Sequence, residues 1–381
     1  MNTIVETAPL ILDIGLVLLF AAASGFIARK FGLPAVVGYL ITGLLVSPFT
    51  PGYVADQNQV RILADIGVVL LLFEVGIEID IKRIRREQRA ILWSAPIQVA
   101  IGILIGTPIF IALGISTLGS LLLSLSLALS SSVVIVNMTR SRRRTTNTQT
   151  EEALLGWSVV QDLTGVAAAA IILALFGASE QSLFKSLAQL VAFVAISYLL
   201  ARLIPLILKL VRWESDLFLI FSVAIGLTIA ALGTVAFHIP MALASFVAGI
   251  AMNQSNDSND VRKALLPFRD LFSVLFFVVI GSLIAPQKLI EALPFAAIFI
   301  ALLILLKTVP AIALSKIGNL KVRRGQLGVG LSQIGEFSFV LGAVALSKGA
   351  LTQLQFTSLL LAVVISIIAS VLLVRAFKPM N

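Results

Sequence analysis

The sequence has no cysteine and a single histidine, His238, in 381 residues. Without cysteine the chain cannot form a disulfide, a thiolate metal site or a thiol nucleophile, and one histidine cannot form a two-histidine metal motif. Charged residues are also scarce, at 12%, where soluble globular proteins have about 25%. These absences exclude most metalloenzymes and soluble folds, and we expect no cofactor.

Apolar residues are abundant instead, at 59%, with a mean hydropathy of +1.06. Soluble domains contain about 45–50% apolar residues, so the composition predicts an integral membrane protein. The net charge of +9 does not indicate a nucleic-acid partner. The basic residues cluster in short loops between apolar runs, which is typical of membrane topology.

Thirteen apolar runs are long enough to be transmembrane helices, because a bilayer core of roughly 30 Å needs about 20 apolar residues and a buried helix needs fewer. The first run follows an N-terminus that lacks the basic region of a signal peptide, so we expect it to be retained. The sequence thus predicts an all-α membrane protein with spans at 10–28, 34–49, 62–79, 91–113, 117–138, 152–176, 183–208, 216–233, 240–253, 268–284, 293–315, 326–347 and 355–377.

The loops between these runs alternate in charge, and most of the 28 lysines and arginines fall on one side. Basic loops stay in the cytoplasm. We therefore expect a multi-pass protein of the inner (plasma) membrane with its N-terminus outside and its C-terminus in the cytoplasm.

An odd number of helices is typical of two inverted six-helix repeats joined by a linking helix. The repeats would cover about 10–176 and 216–377, with the linking helix at about 183–208. The fifth helix of each repeat has a small, polar centre, at 124–132 and 328–338. Weak hydrophobicity at matching positions predicts two broken helices that cross within the membrane.

Asp162 lies near the middle of the sixth span and follows Gln161. A charge at this depth is costly, so an acid there indicates a functional site. The ionised carboxylate can bind a small cation, and the protonated form can cross the access barrier as a neutral group, so proton and cation compete for the site. Ser130, Ser131 and Ser132 would add oxygens from the first break. The alternative is a structural carboxylate.

Four other charged residues are candidates for supporting roles. Lys307, near the middle of the eleventh span, needs a lowered pKa or a carboxylate partner such as Asp162. It is either a fixed counter-charge or a proton carrier. Glu336 adjoins the second break, where it either compensates the N-terminal end of a half-helix or contacts the ion. Glu74 and Glu78 lie towards the cytoplasmic end of the third span. They are interfacial salt-bridge residues or, alternatively, line a funnel for entering cations.

Several stretches, each weak alone, together resemble one family across nearly the whole chain. They are residues 38–43, 71–80, 127–132, 161–162, 276–281 and 333–339. They are similar to the monovalent cation/proton antiporters, in particular the cation/proton antiporter-2 branch that includes potassium-efflux and sodium/proton antiporters. The resemblance implies a homodimer in which a core domain with crossing broken helices moves against a dimerisation domain in an elevator-like cycle. It assigns Asp162 as the ion-binding carboxylate and Lys307 as the embedded basic residue.

Two comparisons with members of the family shape the expected mechanism and regulation. Electrogenic relatives have two adjacent acids where this chain has Gln161 and Asp162, so we expect electroneutral exchange of one cation for one proton. The pair also favours potassium modestly over sodium. Many relatives carry a cytoplasmic nucleotide-binding domain, whereas this chain stops at Asn381. We expect one transmembrane domain over 1–381, no soluble regulatory domain, and regulation, if any, by a separate subunit.

Three other classes remain as alternatives to an antiporter. A passive cation channel would favour a filter motif, and none is recognisable. An organic-anion or sodium-coupled transporter on a similar inverted-repeat fold should not centre on a lone acid. A membrane enzyme needs a nucleophile and a base, and His238 lies near a span end, far from any serine that it could be argued to meet.

Overall fold

The computed structural model describes residues 7–377, except 48–56, 79–88, 140–144, 177–182 and the single positions 238, 240, 254, 256, 285 and 336. All regular secondary structure in this part is helical. The α-helices are α1 (Thr7–Lys30), α2 (Ala35–Leu45), α3 (Gln57–Glu78), α4 (Ile91–Ala112), α5 (Thr117–Ala128), α6 (Ser132–Thr139), α7 (Thr148–Phe176), α8 (Leu183–Val211), α9 (Ser215–Val235), α10 (Met241–Asn253), α11 (Ser258–Ser282), α12 (Leu289–Leu303), α13 (Val309–Ile317), α14 (Arg324–Leu331), α15 (Phe337–Ser347) and α16 (Gln353–Ala376).

Helices occupy all thirteen segments that the sequence predicts to be transmembrane. Within the described ranges, eight helical stretches are long and apolar enough to cross a bilayer. Shorter apolar helices occur as well, among them α2, α5 and α15. The prediction of an all-helical membrane protein is confirmed, whereas the number of thirteen spans stays a prediction.

Two of the predicted spans are interrupted, as their polar centres indicated. The helix begun at Thr117 ends at Ala128 and resumes at Ser132. The helix begun at Arg324 ends at Leu331 and resumes at Phe337. Each interruption frees the last carbonyls of the preceding half-helix, which have no partner within that helix.

The chain forms two compact units, and each contains segments from both halves of the sequence. The first unit comprises Met1–Ile79 and Glu180–Leu283, and the second comprises Asp80–Ser179 and Ile284–Asn381. In the first unit, α3 packs against α10 and α11, and α2 packs against α1 and α11. In the second unit, α4 packs against α5 and α7, α5 against α15, and α12 against α16.

Two pairs of glycines allow close helix crossings in the first unit. A β-carbon on Gly43 of α2 would lie 2.8 Å from the Cα of Gly281 in α11 and would overlap a backbone carbonyl of that helix. A β-carbon on Gly76 of α3 would lie 2.8 Å from the Cα of Gly249 in α10, again with overlap of a carbonyl. Small residues permit this approach, and close backbone packing is a main source of attraction between membrane helices.

Helix α11 begins ten residues earlier than the predicted span. The predicted span began at residue 268, but the helix begins at Ser258. Arg262 and Arg269 are therefore helical residues, on a helix that packs along α3. The polar sequence at the start of α11 had concealed this extension, because apolar content alone set the predicted boundary.

Candidate ion-binding site

The two interrupted helices of the second unit contact each other directly at their breaks. The backbone N–H of Gly335 donates a hydrogen bond to the carbonyl of Leu129 at 2.9 Å, and the Ser130 hydroxyl donates to the carbonyl of Leu331 at 2.8 Å. A β-carbon on Gly335 would lie 2.8 Å from the carbonyl carbon of Ser130. Glycine is therefore needed for this close approach of the two backbones.

Gln333 joins the breaks by a reciprocal pair of hydrogen bonds to one residue. Its Oε1 accepts from the backbone N–H of Ser131 at 2.9 Å, and its Nε2 donates to the carbonyl of Ser131 at 3.1 Å. The hydroxyl of Ser131 in turn accepts from the N–H of Val134, in the first turn of α6. Side chains thus satisfy backbone groups that irregular structure leaves unpaired inside a membrane.

Lys307 places its ammonium group between the same two breaks. The side chain is fully buried, and Nζ donates to the carbonyls of Leu129 and Gln333, both at 2.7 Å. Lys307 belongs to a π-helical turn, Ile304–Thr308, which packs against α4, α5 and α14. Turns of this kind are frequent at functional sites.

Both acceptors of Lys307 lie just beyond the C-terminal ends of half-helices. Such ends carry partial negative charge, so a cation there interacts favourably with α5 and with α14 at once. The hydrogen bonds of the ammonium thus go to backbone oxygens, and the sequence-based pairing of Asp162 with Lys307 stays a prediction.

Asp162 and Gln161 lie on α7, and their side chains are 2% and 0% exposed. Gln161 Nε2 donates to the carbonyl of Ala128, the last residue of α5, at 3.2 Å, and also to Oε1 of Gln98. Gln98 Nε2 donates to the same Ala128 carbonyl at 3.4 Å. The other polar atom of Gln161, Oε1, is buried and has no hydrogen-bond partner among the described residues.

Gln98 did not emerge from the sequence as a site residue. It is a neutral side chain in the apolar run of α4, and only the fold brings it to Gln161, 63 positions later. The available signal was a lone amide among apolar residues at 97–106. Such a group must find a partner when it is buried, because an unpaired amide is costly in an apolar medium.

The structure brings most of the predicted site residues to this crossing. Ser130 and Ser131 lie in the first break, next to the carbonyls held by Lys307 and Gln161, and Ser132 begins α6 as a half-buried residue. Glu336 lies outside the described residues. The side chain of Glu78 is also outside the described part.

Glu74 belongs to the first unit and does not join this group. Its side chain is 1% exposed and forms ion pairs with Arg262 at 2.5 Å and with Arg269 at 2.8 Å. Of the two predicted roles, this geometry favours the salt bridge over a funnel for cations. The partners could not be named from the sequence, since they are 188 and 195 positions away.

The chain is similar to known proteins over most of its length. Residues 15–377 match the family model described as the transmembrane sodium/hydrogen exchanger. The chain is 32% identical over 379 residues to YbaL of Escherichia coli (strain K12), itself a predicted cation/proton antiporter, and this match covers 95% of the chain and 67% of YbaL.

Two solved structures of the sodium proton antiporter MjNhaP1 from Methanocaldococcus jannaschii have a similar fold. The structure at pH 8 matches with a TM-score of 0.74 and 17% identity, over 95% of this chain and 97% of that one. The electron-microscopy structure matches with a TM-score of 0.69 and 19% identity, over 98% and 100%. The match to the family model over most of the chain and the identity to YbaL establish that the chain belongs to the sodium/hydrogen exchanger family of membrane cation/proton antiporters and is a transporter, not an enzyme.

Proposed function

We propose that the protein exchanges a monovalent cation, potassium in preference to sodium, for a proton at a single site formed by Asp162. The observation that carries this proposal is the burial of the Asp162 side chain, 2% exposed, beside two interrupted helices of an apolar unit. An ionised carboxylate buried in this environment is costly, and binding of a cation or a proton lowers that cost. Exchange follows, because the site passes between its two access states only when it is occupied.

Two groups offer oxygen atoms that could bind the cation. They are the Asp162 carboxylate and the amide oxygen of Gln161, which has no hydrogen-bond partner among the described residues. Carboxylate and amide oxygens are suitable ligands for a hard cation. Ser130 and Ser131 support the site from the first break, since their polar groups are used in holding the two interruptions together. The transported cation is the substrate in this scheme and needs no resident metal.

Lys307 acts as a fixed counter-charge in this mechanism. Its two hydrogen bonds to the carbonyls of Leu129 and Gln333 bind the ammonium to the ends of α5 and α14. Charge-assisted bonds of this type are shorter and stronger than neutral ones. A proton carrier would have to leave them in each cycle, so Asp162 is the single titrating group and one proton is exchanged for one cation. For Glu336, which adjoins the second break in the sequence, compensation of a half-helix end and contact with the ion both stay predictions.

We propose further that the chain is an inverted repeat, that the second unit is the core domain and moves in an elevator-like cycle, and that the first unit forms a dimer. Corresponding positions of the two repeats support the symmetry: the close crossings pair Gly43 with Gly281 and Gly76 with Gly249. In each pair, a glycine from the second helix of one repeat meets a glycine from the third helix of the other. The N-terminus would lie outside and the C-terminus in the cytoplasm, open to a separate regulatory subunit.

Transport by purified protein in liposomes tests the proposal. Internal pH is recorded after external addition of K⁺, Na⁺ or Li⁺ to wild type, Asp162→Asn and a control, Asp216→Asn, whose residue is exposed at the start of α9. We expect exchange by wild type and the control and none by Asp162→Asn. Full exchange by Asp162→Asn would contradict the assigned site, and an inactive wild type would contradict the function.

A further inference from the structure

Gln98 and Gln161 form a buried pair of amides on two different helices of the second unit. Both side chains are fully buried, on α4 and α7. They share one backbone acceptor, the carbonyl of Ala128. They are also hydrogen-bonded to each other, from Nε2 of Gln161 to Oε1 of Gln98. This arrangement connects α4 to the residue before Asp162.

The chemistry of the shared acceptor determines which way each amide points. A backbone carbonyl only accepts hydrogen bonds, so Gln98 and Gln161 must both direct their NH₂ groups towards Ala128. The amide oxygen of Gln98 then takes the second N–H of Gln161. Both donors of Gln161 are thereby used, and its Oε1 is the one polar atom left over, buried and without a partner among the described residues.

We propose that Gln98 is a positioning residue that orients Gln161 so that this amide oxygen serves as a neutral ligand of the transported cation beside Asp162. The inference rests on the proposed cation/proton exchange. It explains how the site gains a second ligand, the Gln161 amide oxygen, without a second negative charge. An aspartate or glutamate at position 161 could not make both donations in its ionised form. Gln98 is thus what makes an amide at position 161 an effective cation ligand.

If Gln98 served only to fill space, the two substitutions Gln98→Met and Gln98→Glu would rank differently in their effects. Methionine has nearly the volume of glutamine and no strong hydrogen-bonding group, so a packing role predicts that Gln98→Met is well tolerated and that Gln98→Glu, a buried acid, is harmful. Positioning predicts the reverse order in the KM for the cation. Glutamate keeps an acceptor for the Gln161 amide in either protonation state, whereas methionine removes it.

The test measures KM and Vmax for K⁺, Na⁺ and Li⁺ in liposomes for wild type, Gln98→Met and Gln98→Glu. The matched control is Gln326→Met, a fully buried glutamine of the same unit that is hydrogen-bonded to Thr145 and to the Val374 carbonyl. Loss of one hydrogen bond corresponds to about two- to tenfold in KM. We expect a rise of this size for Gln98→Met, with an altered ratio of KM among the three cations, and a KM at or below wild type for Gln98→Glu.

Folded protein is quantified for every variant by size-exclusion chromatography, so that a loss of Vmax through misfolding is separated from a change in KM. Gln326→Met should leave KM and the cation ratios unchanged. An unchanged KM in Gln98→Met, or equal rises in both methionine variants, would overturn the inference while leaving exchange at Asp162 intact. A wild type that transports none of the cations would instead overturn the proposed function.

Discussion

Lys307 Nζ lies 2.7 Å from the carbonyl oxygen of Leu129, the first residue of the interruption between α5 and α6. The same oxygen also accepts the N–H of Gly335 from the second interruption. One backbone carbonyl thus accepts hydrogen bonds from two other segments of the chain, from a cation in the π-helical turn and from a backbone N–H in the second interruption. Irregular backbone persists in an apolar unit because such donors replace the intrahelical hydrogen bonds.

Replacement of Lys307 by alanine should both destabilise the protein and stop exchange. The carbonyl of Gln333 would lose its charged donor, whereas that of Leu129 would keep the N–H of Gly335. An unsatisfied buried group costs about 1–3 kcal/mol. We expect a loss of stability of about this size, measured as a lower midpoint of thermal unfolding in detergent. Lys316→Ala, at an exposed site near the end of α13, is the control. Normal exchange and stability in Lys307→Ala would remove Lys307 from both roles.

Much of the fold could be predicted because the bilayer imposes a simple rule on sequence. Apolar runs mark helices, and small or polar residues within such runs mark breaks, so both interruptions were predicted at the segments where α5 and α14 end. The start of α11 was placed too late, because its first turns are polar and packing along α3 extends the helix beyond its apolar part. Apolar content does not mark the polar N-terminal turns of this helix, where Arg262 and Arg269 form ion pairs with Glu74.

The charged part of the candidate site was recognisable, and its neutral part was not. Asp162 and Lys307 stand out because charges in an apolar run are costly. Gln98 carries no charge, and its importance depends on contact with Gln161 and with the carbonyl of Ala128. Which amide meets which carbonyl is set by tertiary packing of α4 against α5 and α7, and no local pattern in the sequence encodes it.

Replacing a glycine at the close helix crossings of the first unit by alanine should destabilise the protein. In Gly76→Ala the new β-carbon would overlap backbone atoms of α10, so the two helices must separate. Overpacking of this kind costs about 1–3 kcal/mol. In the control, Gly15→Ala, nothing lies within 4 Å of the new methyl group, and higher helix propensity should make the change neutral or slightly stabilising. Thermal unfolding in detergent compares the two, and equal midpoints would contradict the close crossing.

Glu74 should contribute to stability and not to cation binding. Glu74→Gln keeps the shape of the side chain but removes the charge that faces Arg262 and Arg269. Because the two arginine side chains are partly exposed, at 32% and 22%, we expect a loss of about 1–3 kcal/mol, less than for a fully buried pair. The thermal midpoint should fall, while KM for the cation stays at the wild-type value.

Glu291→Gln, which changes an exposed acid in the first turn of α12, is the control for charge removal. Its thermal midpoint and its KM should both match wild type. A raised KM in Glu74→Gln with an unchanged midpoint would instead assign Glu74 to a cation funnel. The two measurements together therefore separate the two roles that the sequence left open.

Exchange by wild type should be electroneutral, since Gln161 is neutral and Asp162 is the single titrating group of the proposed site. An imposed membrane potential should then leave the exchange rate at saturating ion concentrations unchanged. Moving one net charge across 100 mV requires about 2.3 kcal/mol, whereas a cycle that moves no net charge does no electrical work. Gln161→Glu adds a second acid at the site and should make the rate depend on potential. Gln326→Glu, which adds an acid elsewhere in the same unit, should remain insensitive. A potential-dependent wild type would contradict one-for-one exchange.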